Sequence, residues 1–331
     1  MSQPLLSISG LSVDFPELGR TVKAVRGCNL EVGVGEIMGL VGESGSGKSV
    51  TAMSCLGLVP PPGRVRGKIL LDGFQVVGRK DSELTHVRGG LAAMIFQNPG
   101  KALNPFFTVG HQIADVLKVH RGIGDVEARK RVLEAFGTVH LPDPDIVFEK
   151  YPHQLSGGQL QRAMIAMALT CEPKLLIADE PTTALDVTIQ AQVVVLLREL
   201  AATRGLSILF ITHDLGVVAA LCDRVAVMYG GTVVEQGTVT EVLGQPLHPY
   251  TARLLASVPK LGMGKAELTA IPGQVPDMGA LPPGCSFNPR CDRATEQCRQ
   301  EDPLIRDYGG QRLAACFHVE SEPAPTGQTV A

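Results

Sequence analysis

Tryptophan is absent from this 331-residue chain, and aromatic residues together make up only 4%. A buried core must therefore be built from Val, Leu, Ile and Ala, which are plentiful in a sequence that is 44% apolar. No apolar run reaches the ~18 residues of a membrane-spanning helix. The opening MSQPLLSISGLSVDF has no basic segment followed by an apolar stretch, so no secretory leader is expected. Positive charge is not in excess either. Thirty Lys and Arg stand against 33 Asp and Glu, a net charge of −3, which disfavours nucleic acid as a partner. This composition suits a globular protein, and its length suits two domains or one large domain with an appendage.

Eight cysteines are present but unevenly placed. Cys28, Cys55, Cys171 and Cys222 are scattered, without Cys or His neighbours, and read as small buried side chains. Cys285, Cys291, Cys298 and Cys316 crowd the end of the chain with spacing C-x5-C-x6-C-x17-C. In a reducing compartment that cluster reads as metal binding before disulfides. Tight zinc knuckles are missing, yet four thiolates suit either zinc or an iron–sulfur cluster. His318 nearby is expected at the surface, a spare ligand at most.

Short apolar runs between turns fill residues 5–41 and end in an apolar strand, Ile37 to Val41. Lys48 to about Leu58 is read as helix, and GKILLDGFQVV as a hairpin turning at Asp72-Gly73. Residues 108–138 are read as helical, with Val126, Leu133 and Phe136 at helix-like spacing. Leu175–Ala178 and Ser207–Thr212 are unbroken apolar strands, as a parallel sheet covered on both faces requires, with an amphipathic helix, Ile189–Ala202, between them. The spacing predicts an α/β core split by a helical insertion at about 100–170. Beyond about 260 prolines interrupt every period, so the tail needs a staple other than an apolar core.

Gly42-Glu-Ser-Gly-Ser-Gly-Lys-Ser49 matches G-x4-G-K-[ST] between an apolar strand and a helix, the context this phosphate-binding motif requires. Its glycines let backbone N–H groups turn toward phosphate oxygens, and the helix start adds a positive dipole end. Lys48 is expected on the β- and γ-phosphates and the Ser49 hydroxyl on Mg²⁺; Ser44, Gly45, Ser46, Gly47 and Val50 complete the ATP-contacting stretch. Leu175–Asp179 is an apolar strand ending in two carboxylates, Asp179 and Glu180. Asp179 is expected to hold Mg²⁺ and Glu180 to polarise the attacking water. Leu155-Ser-Gly-Gly-Gln159 follows the insertion; Ser156 caps a helix to about Leu169, with Gly157 and Gly158 allowing close backbone approach.

With these motifs in order, residues 5–260 resemble the ABC (ATP-binding cassette) ATPases. Gln97 in Ile95-Phe-Gln-Asn-Pro99 is similar to that family's Q-loop, Ala184-Leu-Asp186 to its D-loop, and His213 in Ile211-Thr-His-Asp214 to its switch histidine. The resemblance implies a P-loop fold: a RecA-like core, an antiparallel β subdomain and a helical insertion. It also implies Gln97 as a further Mg²⁺ contact, and adenine stacking on Phe15, the only aromatic before the phosphate loop. Two cassettes would pack head to tail, with Ser156, Gly157, Gly158 and Gln159 covering the partner's γ-phosphate and Asp186 at the seam.

His248-Pro-Tyr-Thr-Ala-Arg-Leu-Leu-Ala-Ser-Val-Pro259 and Gly284-Cys-Ser-Phe-Asn-Pro-Arg-Cys291 resemble the oligopeptide/dipeptide importer ATPases, and Val50 the D-type subunit among them. That resemblance implies an ATPase domain over 1–260 and a loop-rich extension over 261–331 carrying a [4Fe-4S] cluster on the four tail cysteines, with Zn²⁺ the alternative. It implies an F-type ATPase partner, two permease subunits and an extracytoplasmic binding protein, with this chain peripheral on the cytoplasmic face of the membrane. A non-transport ABC ATPase, or an importer of nickel complexes or glutathione, remains an alternative. Because no nucleotide motif lies in the tail, residues 5–245 are expected to bind ATP without it.

Overall fold

A computed structural model describes residues 3–97, 99–183, 185–258 and 271–319. Asn98 and Ala184 of the motifs, Pro259, and the expected 260/261 boundary lie outside the described residues. The strands are β1 (Leu6–Glu17), β2 (Arg20–Val32), β3 (Ile37–Val41), β4 (Arg64–Leu71), β5 (Phe74–Gln75), β6 (Ala92–Ile95), β7 (Leu175–Asp179), β8 (Ser207–Thr212), β9 (Arg224–Tyr229), β10 (Thr232–Thr238), β11 (Arg306–Asp307) and β12 (Leu313–Ala314). The chain divides into two compact units, one of residues 1–6, 32–37 and 70–211, the other of residues 7–31, 38–69 and 212–331.

In the first unit β6, β7 and β8 pair in parallel, with Ala92 opposite Leu175 and Leu175 opposite Ser207. Every residue of β7 and β8 is buried, which explains why both read as unbroken apolar runs. The β4–β5 hairpin turns at Asp72 and Gly73, both left-handed at φ 49° and 79°, so the Asp-Gly signal marks the turn its chemistry favours. Between 99 and 170 the chain is helical. Val109–Arg121 buries Val109, Ile113 and Leu117, and Asp125–Thr138 buries Ala128, Val132 and Phe136. Val126 is a correction: it is exposed, because the buried stripe runs through Ala128 and Val132 instead. A Cβ on Gly110 would lie 2.2 Å from the Phe148 ring, so only glycine allows that close helix contact.

In the second unit β3 runs parallel to β9, and β9 pairs antiparallel with β10. The tail continues this sheet. Ala314 of β12 pairs with Glu235 of β10, and β11 pairs with β12. β1, β2 and β4 form a separate sheet in the order β2-β1-β4. Cys28, Cys55, Cys171 and Cys222 are buried, as expected, and all eight cysteines are free thiols. Among the described residues no helix is long and apolar enough to cross a membrane.

Candidate active site

The phosphate loop joins β3 to the helix Lys48–Ser54, which is shorter than the sequence suggests. The loop turns through left-handed Gly45 and Gly47, at φ 79° and 105°. At Gly47 a Cβ would sit 2.4 Å from the Ala24 carbonyl, so glycine is required there. Lys48 is 5% exposed and curls back over the loop. Its Nζ donates to Gly42 O at 2.7 Å and Glu43 O at 2.9 Å. This is a cradle with a cation at its centre, and its donors suit phosphate oxygens. Phe15 lies on β1 of the same unit, its ring beside Gly63.

In the other unit, β7 delivers buried Asp179 and then Glu180. Glu180 takes a left-handed backbone at φ 47°, a conformation costing a non-glycine residue roughly 1–2 kcal/mol. Its carboxylate is held by donors: Gln97 Nε2 reaches Oε2 at 2.7 Å, and Thr183 Oγ1 reaches the same atom at 2.9 Å. Gln97 and Glu180 are thus brought together; Thr183 was not legible in the sequence as a partner. Within their own units, buried Asp179 and the exposed Ser49 hydroxyl are each an oxygen donor of the kind Mg²⁺ takes. His213 follows β8 and is exposed, and Asp214 after it caps the next helix through Gly216 N at 2.8 Å.

Ser156 caps the helix Gly157–Leu169, as expected, in a reciprocal box. Its Oγ accepts from Gln159 N at 3.3 Å, and Gln159 Oε1 accepts from Ser156 N at 3.1 Å. Gly158 packs against Ile189, where a Cβ would come within 2.9 Å of the side chain. Asp186 caps the helix Val187–Arg204 by accepting from Ile189 N at 2.9 Å.

Cys285, Cys291, Cys298 and Cys316 line one small cavity, walled by Phe287, Phe317 and Pro303. Burial pushes the Cys285 thiol up to about 11, and nearby Cys298, Cys316 and Cys291 push it the same way. His318 also lines the cavity, with Nε2 3.4 Å from Cys298 Sγ, so it is not merely a surface residue. Among the described residues no three His, Cys, Asp or Glu are grouped so as to hold a metal ion. The four-thiol donor set is one that iron–sulfur clusters use.

The tail and the nucleotide loop are in contact. Arg290 pairs with Glu43 at 2.6 Å. The His248-Pro-Tyr motif has a structural reason too. His248 accepts from Tyr250 N at 3.0 Å, and Tyr250, fully buried, packs 5.4 Å from Phe287. The Tyr250 hydroxyl accepts from Glu43 N at 2.9 Å. Neither tie had a sequence signal, since both span more than two hundred residues.

A cradled lysine after a buried strand, and a second strand ending in a held carboxylate, define a P-loop ATPase. The family model "ABC transporter" matches residues 25–183, and "Oligopeptide/dipeptide transporter, C-terminal region" matches 234–298. The chain is 47% identical to the dipeptide transport ATP-binding protein DppD of Haemophilus influenzae, over 93% of this chain and 94% of that one. It is 46% identical to the oligopeptide transport ATP-binding protein OppD of Salmonella typhimurium, over 96% and 95%. Among solved structures it is similar to the ATP-binding cassette MJ0796, a dimer bound to ADP and Pi, at TM-score 0.63 and 28% identity over 71% of this chain and 98% of that one. The chain belongs to the ABC transporter family, among its dipeptide and oligopeptide transport ATP-binding proteins.

Proposed function

We propose that this chain is the ATP-hydrolysing subunit that powers peptide import by an ABC transporter of the oligopeptide/dipeptide type. The observation that carries this is its identity of 45–47% with dipeptide and oligopeptide transport ATP-binding proteins along nearly the whole of both chains. Lys48 and the loop N–H groups bind the phosphates, with Phe15 beneath adenine. Ser49, Gln97 and Asp179 hold Mg²⁺, which supplies charge neutralisation on the phosphates. Glu180 orients and deprotonates water, Gln97 and Thr183 fix its carboxylate, and His213 contacts the γ-phosphate. Peptide-stimulated ATPase activity of the transporter, reconstituted with its binding protein and permeases, tests the reading. Nucleotide turnover unaffected by peptide would refute it.

Head-to-tail pairing with an F-type ATPase puts Ser156, Gly157, Gly158, Gln159 and Asp186 on the partner's nucleotide. The dimeric state of the similar MJ0796 cassette supports pairing of this kind. The chain works from the cytoplasmic face beneath two permeases. The ATPase domain spans 1–260 and the extension 261–331. Cys285, Cys291, Cys298 and Cys316, which line one cavity, are the four-thiol donor set that would hold a [4Fe-4S] cluster, with Zn²⁺ the alternative. Such a cluster would supply cross-linking to a segment poor in large apolar side chains.

A further inference from the structure

A buried ion pair joins the cysteine-bearing tail to the phosphate loop. Arg290 is 7% exposed, and its guanidinium meets Glu43 twice, Nη1 to Oε2 at 2.6 Å and Nη2 to Oε1 at 3.1 Å. Glu43 is the second residue of the loop, and Arg290 directly precedes Cys291. Arg290 is fixed in its own right. Its Nε donates to Pro272 O at 3.0 Å, and Nη1 donates to the Tyr229 hydroxyl at 3.3 Å. The loop has two further ties, Glu43 N to the Tyr250 hydroxyl at 2.9 Å and Gly231 N to Ser46 O at 3.1 Å.

Charge gives the pair its meaning. The loop must receive a polyanion, yet Glu43 puts a carboxylate in it, 24% exposed. A planar guanidinium neutralises that carboxylate through both oxygens and sets its direction. We propose that Arg290 is a positioning residue of the nucleotide site: through Glu43 it fixes the phosphate loop and cancels a charge that opposes nucleotide phosphates. The tail is then part of the ATP-binding apparatus. This rests on reading Gly42–Ser49 as the phosphate loop.

Steady-state ATPase kinetics of the assembled transporter test it, beside nucleotide binding to the full chain. Arg290→Ala should raise the KM for ATP about tenfold while kcat at saturating ATP stays within about twofold. Adding Glu43→Gln should bring KM back toward the parent value, because the opposing charge is gone. Raised salt should shrink the Arg290→Ala defect by screening. A merely structural defect would lower kcat through a smaller active fraction and would not be relieved by Glu43→Gln. An unchanged KM, or a raised KM that Glu43→Gln does not relieve, overturns the proposal. Should Arg290→Ala not fold, Arg290→Lys keeps the charge but loses the fork; raised KM at parental kcat supports the proposal and unchanged KM overturns it. Lys48→Ala separates the two readings. If it binds nucleotide like the parent, the loop reading fails. If it loses binding while Arg290→Ala leaves KM unchanged, only the role of Arg290 fails.

Discussion

On the proposed function, Glu180 is the side chain on which turnover depends most directly. Its left-handed backbone and its two donors, Gln97 and Thr183, aim one carboxylate oxygen instead of leaving it to solvent. Glu180→Gln should keep nucleotide binding and slow hydrolysis at least ~10²-fold, since the base is lost and the shape is kept. Phosphate release by the reconstituted transporter checks this. His248 makes a second prediction. Burial holds its pKa down from 6.5 to about 3. The unfolded chain takes up that proton below about 6.5 while the folded chain stays neutral, so His248 lowers stability progressively from pH 6.5 toward 3. Glu235, raised by burial while accepting from His248 N, opposes part of this on acidification. His248→Asn keeps a capping acceptor and removes the titration. Its thermal midpoint should fall less on acidification than the parent's.

At the scale of elements, helix packing in the insertion depends on glycines that stand where helices touch. Gly110→Ala places a methyl within 2.2 Å of the Phe148 ring and should cost roughly 1–3 kcal/mol. Gly137→Ala, inside the helix Asp125–Thr138 and with nothing within 4 Å of its Cβ, is the matched control and should be neutral or slightly stabilising. Urea denaturation of both variants compares them. The apolar stripes of these helices could be read from periodicity, whereas Val126 misled. An apolar residue in the first turn of a helix fits the period without facing the core.

For the molecule as a whole, the proposed function has the signature helix serving a partner's nucleotide, and the proposed role of Arg290 has the tail serving its own loop. Ser156→Arg should leave nucleotide affinity of the full chain intact and abolish ATPase activity of the assembled transporter. Ser156→Ala, which removes the capping hydroxyl without adding bulk or charge, should cost about 1 kcal/mol of stability and impair activity less than Ser156→Arg. The tail cysteines predict about four iron per chain in protein prepared without oxygen. Cys298→Ser should lower that iron content and expose residues 271–319 to protease. Colourless protein holding one zinc would decide for the other metal.

Local chemistry made much of this protein legible in its sequence. The Gly-rich loop, the strand ending in Asp179-Glu180, the Ser156 cap and the Asp72-Gly73 turn each depend on neighbours a few residues away, so spacing alone is enough to read them. The crowding of the four tail cysteines could be read from spacing too, and the structure shows that all four line one cavity. Tertiary structure decided what joins distant segments: Gln97 on Glu180, Tyr250 and Arg290 on Glu43, and β12 on β10. These contacts follow from how strands and turns stack, and no periodicity encodes which buried arginine meets which loop carboxylate.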